Sequence, residues 1–527
     1  MAIATQVEAY PRGFPLALGL KMKMNLRILP VLFLAFALPA TAESPPTESG
    51  RAQPLRNCET SATRDLGVWD DVFVCADEDM IVLRRGEQLF SISMAASADP
   101  NKLVATRAAK KAQIVAAVSS GTRFWLFMHS SDGAPFAIDA YSDRLSQFDI
   151  PGLEIPGEHA PSIQSQVIIR HADAALVMVA GGDRKTLPGA GNRPIYFWIS
   201  LKSGEVVALP IGWDLECFLP DQKAAVFEKP QEKDFVRRPL QEIDLRTGKL
   251  TSETSDLRKK GAVPFDWTDT QTVKPLHLWR QETGSGDIAG VVVNGYAYRF
   301  NLGLDGVHYL SSAKASDGFL GFRLRREGAL GIEPSAFWQM ELKQGSKPQL
   351  MATGVTDFAM LDGGNCVLAT AGHGPRGVSA EGFFLIHGDK TMWNILEGVD
   401  RLPELGKEFA DAPYVEDKMS LRLVEGFGSG NHGKLVFCLF THFRGDMRSL
   451  QDKALERKTW RRAIILGSDG HRYATDALRE GTLPDQIWFH NSGRLIKVSY
   501  QWKPRGSSSE REVQLSETTV RLPAKPE

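Results

Sequence analysis

A short strand, a tight turn closed by glycine or aspartate, and a second short strand recur along the chain. This repeat constrains the fold more than any other feature. It is plainest at Tyr196 to Glu205, where Tyr-Phe-Trp-Ile-Ser-Leu runs into Lys202-Ser203-Gly204-Glu205, and at Leu240 to Leu250, where the turn is Asp244-Leu245-Arg246-Thr247-Gly248-Lys249. Weaker copies lie at Tyr296 to Gly306, Ala336 to Gly345, Phe383 to Asp389 and Ala463 to Gly470, and degenerate ones at Leu89 to Met94 and Phe136 to Asp143. Aromatic and β-branched residues suit a pleated, half-buried strand, and glycine supplies the backbone freedom a tight turn requires. The turn residues Gly204, Gly248, Gly306, Gly345 and Asp389 are 44, 58, 39 and 44 residues apart. A second unit precedes several of these, a hairpin with a turn-rich middle: Asp357 to Thr370, Ile487 to Val498, and Val115 to Met128 around Ser119-Ser120-Gly121. Two hairpins in succession make four antiparallel strands per repeat.

Four strands every forty to fifty residues or so is the unit of a β-propeller. The sequence therefore predicts an all-β chain: one propeller over residues 66–523, built of seven or eight four-stranded antiparallel blades, with eight preferred. Residues 485–523 would supply the last blade, completed by a strand near Val72 to Cys75 that closes the ring. The pattern Asp244-x-x-Thr247-Gly248-Lys249 resembles the outer hairpin of the exported bacterial β-propellers, the broad group with TolB-like, WD-repeat-like and quinoprotein-like repeats. The resemblance covers most of residues 66–523 with degenerate copies. It implies the fold and leaves the activity open, because propellers host many chemistries. A quinoprotein repeat would place a Trp shortly after the turn, where this chain has Leu209 and Leu250, so no cofactor is expected. Trp69-Asp70 does not recur at blade spacing, which argues against a true WD-repeat protein.

The first 42 residues read as a signal peptide, with a start that is over-extended ahead of Met22 or Met24. Lys21, Lys23 and Arg27 precede an apolar run from Ile28 to Leu38, and Ala40-Thr41-Ala42 offers the small residues that signal peptidase needs. The run is too short for a spanning helix, which takes about 20 residues, so no transmembrane anchor is expected in the mature chain. Residues 43–65, rich in Pro, Ser and Glu at their start, read as a flexible N-terminal segment, and the expected location is periplasmic or secreted. Cys58 and Cys75 are close enough to pair in an oxidising compartment, while the odd total of 5 leaves a free thiol among Cys217, Cys366 and Cys438. With 62 basic and 63 acidic side chains and 43% hydrophobic residues, the chain is neither a disordered polymer nor a polybasic nucleic-acid binder.

Several apparent motifs weaken on inspection. Gly428-Ser429-Gly430-Asn431-His432-Gly433-Lys434 matches part of a phosphate loop, but Leu435 stands where a Ser or Thr would hold magnesium and a β-type run follows instead of a helix. There is no CxxC, HxH or HExxH, so no metal site is expected. Cys438, Phe440 and His442 would share a strand face as packing residues. Asp70 and Asp71 point to opposite faces of a strand, and Ser311 to Lys314 fits SxxK only by chance. Drawn as blades, the second-to-third strand connections are long and basic, and they leave on one face. Over 181–193, 229–238, 325–334, 371–380, 444–461 and 503–510 they carry a net +9 in a chain of total −1. The candidate anion-binding rim is Arg184, Lys185, Arg193, Lys229, Lys233, Arg237, Arg238, Arg376, Arg444 and Arg448. A rim insertion at about 444–461 has helical spacing in Met447, Leu450, Ala454 and Leu455, and Leu402 to Ala412 is a second helical window.

These features point first to a non-catalytic binding or interaction propeller. Its partner would be an acidic glycan, a lipid headgroup or an acidic protein surface. The alternative is a propeller enzyme, a hydrolase or lyase acting on a polysaccharide or other exported substrate, which would place carboxylates or histidines in the central channel. The signal-peptide order makes the first test direct: mass spectrometry of exported protein is expected to find Glu43 as the mature N-terminus, and an intact segment from Ile28 to Leu38 in the membrane fraction would contradict it.

Overall fold

The structure is a computed structural model that describes residues between 53 and 524, with breaks whose longer stretches fall at 104–111, 151–162, 182–193, 230–238, 255–262, 265–276, 327–334, 371–381, 400–414 and 447–457. Among the described residues the regular elements are strands, apart from one short 3-10 turn at Asp362–Gly364. The strands form consecutive antiparallel meanders in which chain order and spatial order coincide. They comprise sheet 1 (71–102), sheet 2 (112–147), sheet 3 (163–208), sheet 4 (214–254), sheet 5 (277–301), sheet 6 (308–352), sheet 7 (355–394), sheet 8 (415–475) and sheet 9 (486–521). Sheet 5 has three described strands, and a short strand at Val263–Pro264 returns beside the first strand of sheet 4. Sheets 8 and 9 are joined through a short parallel bridge, Gly426 with Phe489 and Phe427 with His490. This is the connectivity of propeller blades.

The recurrent outer hairpins fall where the sequence placed them, as third and fourth strands: Ile195–Ser200 with Val206–Ala208, Leu240–Asp244 with Leu250–Thr254, and Phe136–Asp139 with Arg144–Gln147. The turn-rich hairpins are first and second strands, as at Val355–Met360 with Cys366–Thr370 and at Gln486–His490 with Arg494–Arg505.

Alternation along each strand explains why such thin sheets are stable. In sheet 1, Val82 and Leu89 pack with Phe124, Leu126 and Met128 of sheet 2, whereas Ile81, Leu83 and Ile92 pack with Ile496, Val498, Val513 and Leu515 of sheet 9. In sheet 2, Trp125 and Phe127 face the other way, toward Val177 and Phe197 of sheet 3. Sheet 8 divides likewise, with Val436, Cys438 and Phe440 against sheet 7 and Leu435, Phe437 and Leu439 against sheet 9. A side chain of this size contributes roughly 1.5–3 kcal/mol when fully buried, and each strand collects that gain on both faces. The contact between sheets 9 and 1 closes the sequence of sheets on itself.

Closure differs from the sequence expectation in one respect. Asp71–Cys75 is the first strand of sheet 1, and the strand that completes sheet 9 is Arg64–Trp69, antiparallel to Ser508–Arg521 from Arg64 with Glu517 to Trp69 with Val513. Leu66 and Trp69 are buried in the sheet 9–sheet 1 core, which is why this stretch is a strand. Leu55–Asn57 adds to the edge of sheet 8 in parallel with Arg472–Thr475, and Glu59–Thr60 pairs with the last strand of the chain. The described part of the segment expected to be flexible thus serves as a clasp. Cys58 packs at the sheet 8–sheet 9 core and Cys75 at the sheet 1–sheet 2 core, so the two lie in different seams and form no disulfide.

Two further devices join neighbouring sheets. The indole N–H of Trp125 in sheet 2 donates to the carbonyl of Leu201 at 2.6 Å, and that of Trp198 in sheet 3 donates to Leu245 at 2.9 Å. Each indole lies on the glycine of the next sheet's outer turn. A Cβ at Gly204 would stand 2.8 Å from Trp125, one at Gly248 2.5 Å from Trp198, and one at Gly470 2.6 Å from Trp393 of sheet 7. Gly204, Gly248 and Gly470 also have φ of 70°, 68° and 82°, the left-handed region that favours glycine.

The second device is the turn His490-Asn491-Ser492-Gly493 of sheet 9. The Asn491 amide donates to Gly428 O, and its Oδ1 accepts from the N–H of Leu435 at 3.0 Å, holding sheet 8. Toward sheet 1, Ser492 Oγ lies 3.4 Å from Met94 O, and Arg494 donates to Ser93 O and to Glu517. His490 is fully buried, edge-on to Phe427. Its Nδ1 accepts from the N–H of Ser492 at 3.1 Å, which places the ring proton on Nε2, 3.6 Å from Asp79 Oδ1. Burial lowers the pKa of this imidazole below its ordinary value, with Arg494 adding to the effect and Asp79 opposing it.

Two predictions follow from these seams. Gly248→Ala should destabilise by roughly 2–4 kcal/mol, from the left-handed backbone together with overpacking on Trp198. Gly86→Ala, also at positive φ but with no atom near a Cβ, should cost only about 1–2 kcal/mol; equal losses in denaturant unfolding would remove the indole contact from the account. For His490, a folded pKa below the unfolded value of about 6.5 means that its contribution is present above that value and is lost as pH falls through the folded pKa. His490→Gln should therefore be less stable than wild type at pH 7 and show a flatter stability profile below about pH 6.5, measured by denaturant unfolding across pH.

Candidate functional site

All six stretches lie between second and third strands, and five of them carry net positive charge. The one at 181–193 joins Ala174–Gly181 to Ile195–Ser200, and that at 229–238 joins Ala224–Glu228 to Leu240–Asp244. Those at 325–334 and 371–380 hold the same place in sheets 6 and 7, and those at 444–461 and 503–510 in sheets 8 and 9. In a meander the second-to-third connection leaves the end of the sheet opposite to the two hairpin turns. The insertion in sheet 8 is narrower than its sequence suggested, because Leu435–Asp446 and Lys458–Gly467 both run on into it.

Of the ten rim residues, Lys229 is described to its side chain. It is half-buried, its backbone N–H donates to Pro239 O at 2.9 Å across the base of the loop, and its ammonium lies 5.7 Å from the ring centre of Trp213. Arg444 lies on a strand opposite Lys458 and Asp417, with its side chain outside the described atoms. Arg184, Lys185, Arg193, Lys233, Arg237, Arg238, Arg376 and Arg448 lie outside the described residues, as do the helical windows at 447–457 and 402–412.

Among the described residues, several charged groups on or beside the first strands pair with one another or with the backbone. Lys314 of sheet 6 donates to Phe358 O at 2.6 Å and pairs with Glu425 of sheet 8 at 3.1 Å, while Glu425 accepts from the N–H of Met360 at 3.1 Å. The pair thus straddles the first strand of sheet 7, and Lys314 is not placed as the base of a Ser-x-x-Lys site. Arg422 donates to Asp485 O at 2.9 Å, and Asp485 Oδ2 accepts from the N–H of Tyr500 at 2.6 Å. Asp71 is buried and accepts from the N–H groups of Ile114 at 2.8 Å and Val72 at 2.9 Å, so it ties sheet 1 to sheet 2. Burial raises its pKa, against the pull of those donors and of Arg84 and Arg511. Asp70, exposed on the other face, accepts from the N–H of Gly86 and lies 3.6 Å from Arg84.

Residues 428–434 form the hairpin turn between Val415–Phe427 and Leu435–Asp446, with no helix behind them, and Lys434 reaches Ser316 Oγ at 3.0 Å. Cys438 and Phe440 are core residues. Ser492, His490 and Asp79 align in the order of a hydrolase triad, a grouping that sequence reading did not anticipate because Asp79 is remote in the chain. The neighbouring N–H donors are already used: Asn491 to Phe427 O, Ser492 to the imidazole and Gly493 to His490 O. An oxyanion needs such donors free, so these three are not available to one, and the cluster serves the seam between sheets 8, 9 and 1. Among the described residues no group of His, Cys, Asp and Glu is arranged to hold a metal ion, and no helix is long and apolar enough to cross a membrane.

No family model matches the chain, and no curated protein matches it. Solved structures similar to it include the β-propeller domain of the Trilobed protease from Pyrococcus furiosus, at 9% identity and TM-score 0.29, covering 76% of this chain and 98% of that one. Acylaminoacyl peptidase from Pyrococcus horikoshii is 14% identical at TM-score 0.29, over 72% of this chain and 50% of that one. PorZ, a surface component of the type-IX secretion system of Porphyromonas gingivalis, is 10% identical at TM-score 0.20, over 88% of this chain and 65% of that one. At such values the likeness carries no statement about site or activity.

Proposed function

We propose that this chain is an exported, non-catalytic binding propeller whose second-to-third connections form a basic face for an anionic partner. What supports the reading is the sequence count: six of the stretches that join second to third strands sum to +9 in a chain of total −1. Charges gathered in this way add their fields and draw in an oppositely charged partner. The pairing of Lys314 with Glu425 and of Arg422 with the backbone at Asp485 supports binding over catalysis, because among the described residues these charged groups already have partners within the fold. The nine successive meanders support a ring of nine blades, one more than the larger number expected from the repeat spacing. No cofactor is part of this reading.

Binding of the mature protein to an acidic glycan or to anionic vesicles should weaken as salt rises, since exposed charges are screened over about 8–10 Å at physiological ionic strength. Changing Arg184, Lys185, Arg237 and Arg238 together to Ser should reduce association while leaving the unfolding midpoint nearly unchanged, exposed substitutions costing within about 0.5 kcal/mol each. Negligible binding at both low and high salt would reject the basic face as a binding surface.

A further inference from the structure

We infer that the projecting hairpin of sheet 9 carries a sugar-stacking platform, Trp502 with Arg511 and Tyr500, and that the anionic partner of the basic face is an acidic polysaccharide. This deepens the binding reading above and rests on it. Trp502 is 65% exposed, more than any other large hydrophobic side chain described, whereas Trp69, Trp125, Trp198, Trp213, Trp338, Trp393 and Trp488 are buried or half-buried. An indole left in water forgoes the gain of burial unless a partner supplies it.

The register places the three side chains together. Trp502 is opposite Arg511 and Tyr500 opposite Val513, so all four share one face of the hairpin. That face turns into the sheet 9–sheet 1 core at Val513 and Val498, which leaves Tyr500 half-buried at the mouth of the seam and Trp502 beyond it. The Arg511 guanidinium lies 4.5 Å from the Tyr500 ring centre, a cation held by an aromatic face. On the outer side the strand Arg64–Trp69 stops at Val513, and on the inner side Gln486–His490 stops at Val498. The rest of the hairpin therefore projects past its sheet, and its connection is one of the five net-positive stretches.

The chemistry of the patch selects among anionic partners. A protein partner of standard size covers roughly 800 Å² with an apolar centre, but among the described residues the other exposed large apolar side chains are scattered. Tyr141, Leu250 and Leu350 belong to sheets 2, 4 and 6, and Val68, paired with Gln514, faces away from Trp502. An isolated indole beside a fixed guanidinium suits a pyranose ring bearing a carboxylate: the ring's C–H face lies on the indole, whose face is electron-rich, and the carboxylate meets Arg511 through two parallel hydrogen bonds. A polymer of such units would reach several basic connections at once, so weak contacts would combine.

The test titrates the mature full-length protein with polygalacturonate, alginate and dextran sulfate, with neutral dextran as control, and separately with vesicles of phosphatidylglycerol and phosphatidylcholine. Salt-sensitive binding to an acidic polysaccharide and a quenched or shifted indole emission are expected. Trp502→Ala should weaken binding about tenfold, Trp502→Phe less, and Arg511→Gln should discriminate less well between polygalacturonate and dextran. Unchanged thermal unfolding of Trp502→Ala separates lost contact from lost fold. Wild-type affinity in Trp502→Ala, or binding to the vesicles but to none of the polysaccharides, overturns the platform and leaves the basic face standing. No salt-sensitive binding to any anionic probe defeats both.

Discussion

In sheets 1, 2, 3, 7, 8 and 9 a single layer of strands sends its apolar side chains out of both faces. Such a sheet has no interior of its own; each described seam is the interior for two half-sheets. Ile81 and Val82 are adjacent in the chain, both fully buried, and belong to different cores on opposite sides of sheet 1. A succession of such sheets that ended openly would leave a whole apolar face in water at each end. Closure is therefore required by the strand pattern itself, and this accounts for the effort spent on joining sheet 9 to sheet 1.

The effort is visible in the polar groups. The Arg64–Trp69 strand crosses from the N-terminal side of the chain to finish the last sheet, and the turn at His490 to Gly493 grips sheet 8 through Asn491 and sheet 1 through Ser492 and Arg494. A buried arginine pairing with Glu517 and a buried imidazole facing Asp79 are costly to desolvate, and the bonds from Arg494 to Glu517 and Ser93 O and from the Ser492 N–H to the imidazole offset part of that cost. Groups that would attract attention as catalytic in an open cleft are here the fasteners of a ring.

How much was legible in the sequence follows from how local each feature is. The hairpins at 240–254 and 486–498 could be read because strand alternation and turn residues sit within a dozen positions of each other. The closing strand was misplaced by a few residues because Arg64 to Trp69 and Asp71 to Cys75 are both short, β-type and adjacent; only the partner strand, more than 440 residues away, distinguishes them. The tryptophans were sought after each turn, in the same repeat, whereas Trp125 and Trp198 reach the turn of the following sheet. A glycine's need for space is visible in sequence, but the identity of the group that fills that space is not.

Degenerate repeats have a consequence for function. The cores fix the strands and the outer turns, where an added Cβ at Gly204 or Gly248 meets an indole, and they constrain the second-to-third connections least. Those connections vary in length from sheet to sheet, and in sheets 8 and 9 the strands on either side extend to 10–14 residues, well past the four to nine common in sheets 1 to 7. Extending a hairpin beyond its neighbours exposes backbone edges and, at Trp502, an indole, with no gain to the seams. Structure that the cores do not need is where recognition can be placed without weakening the seams.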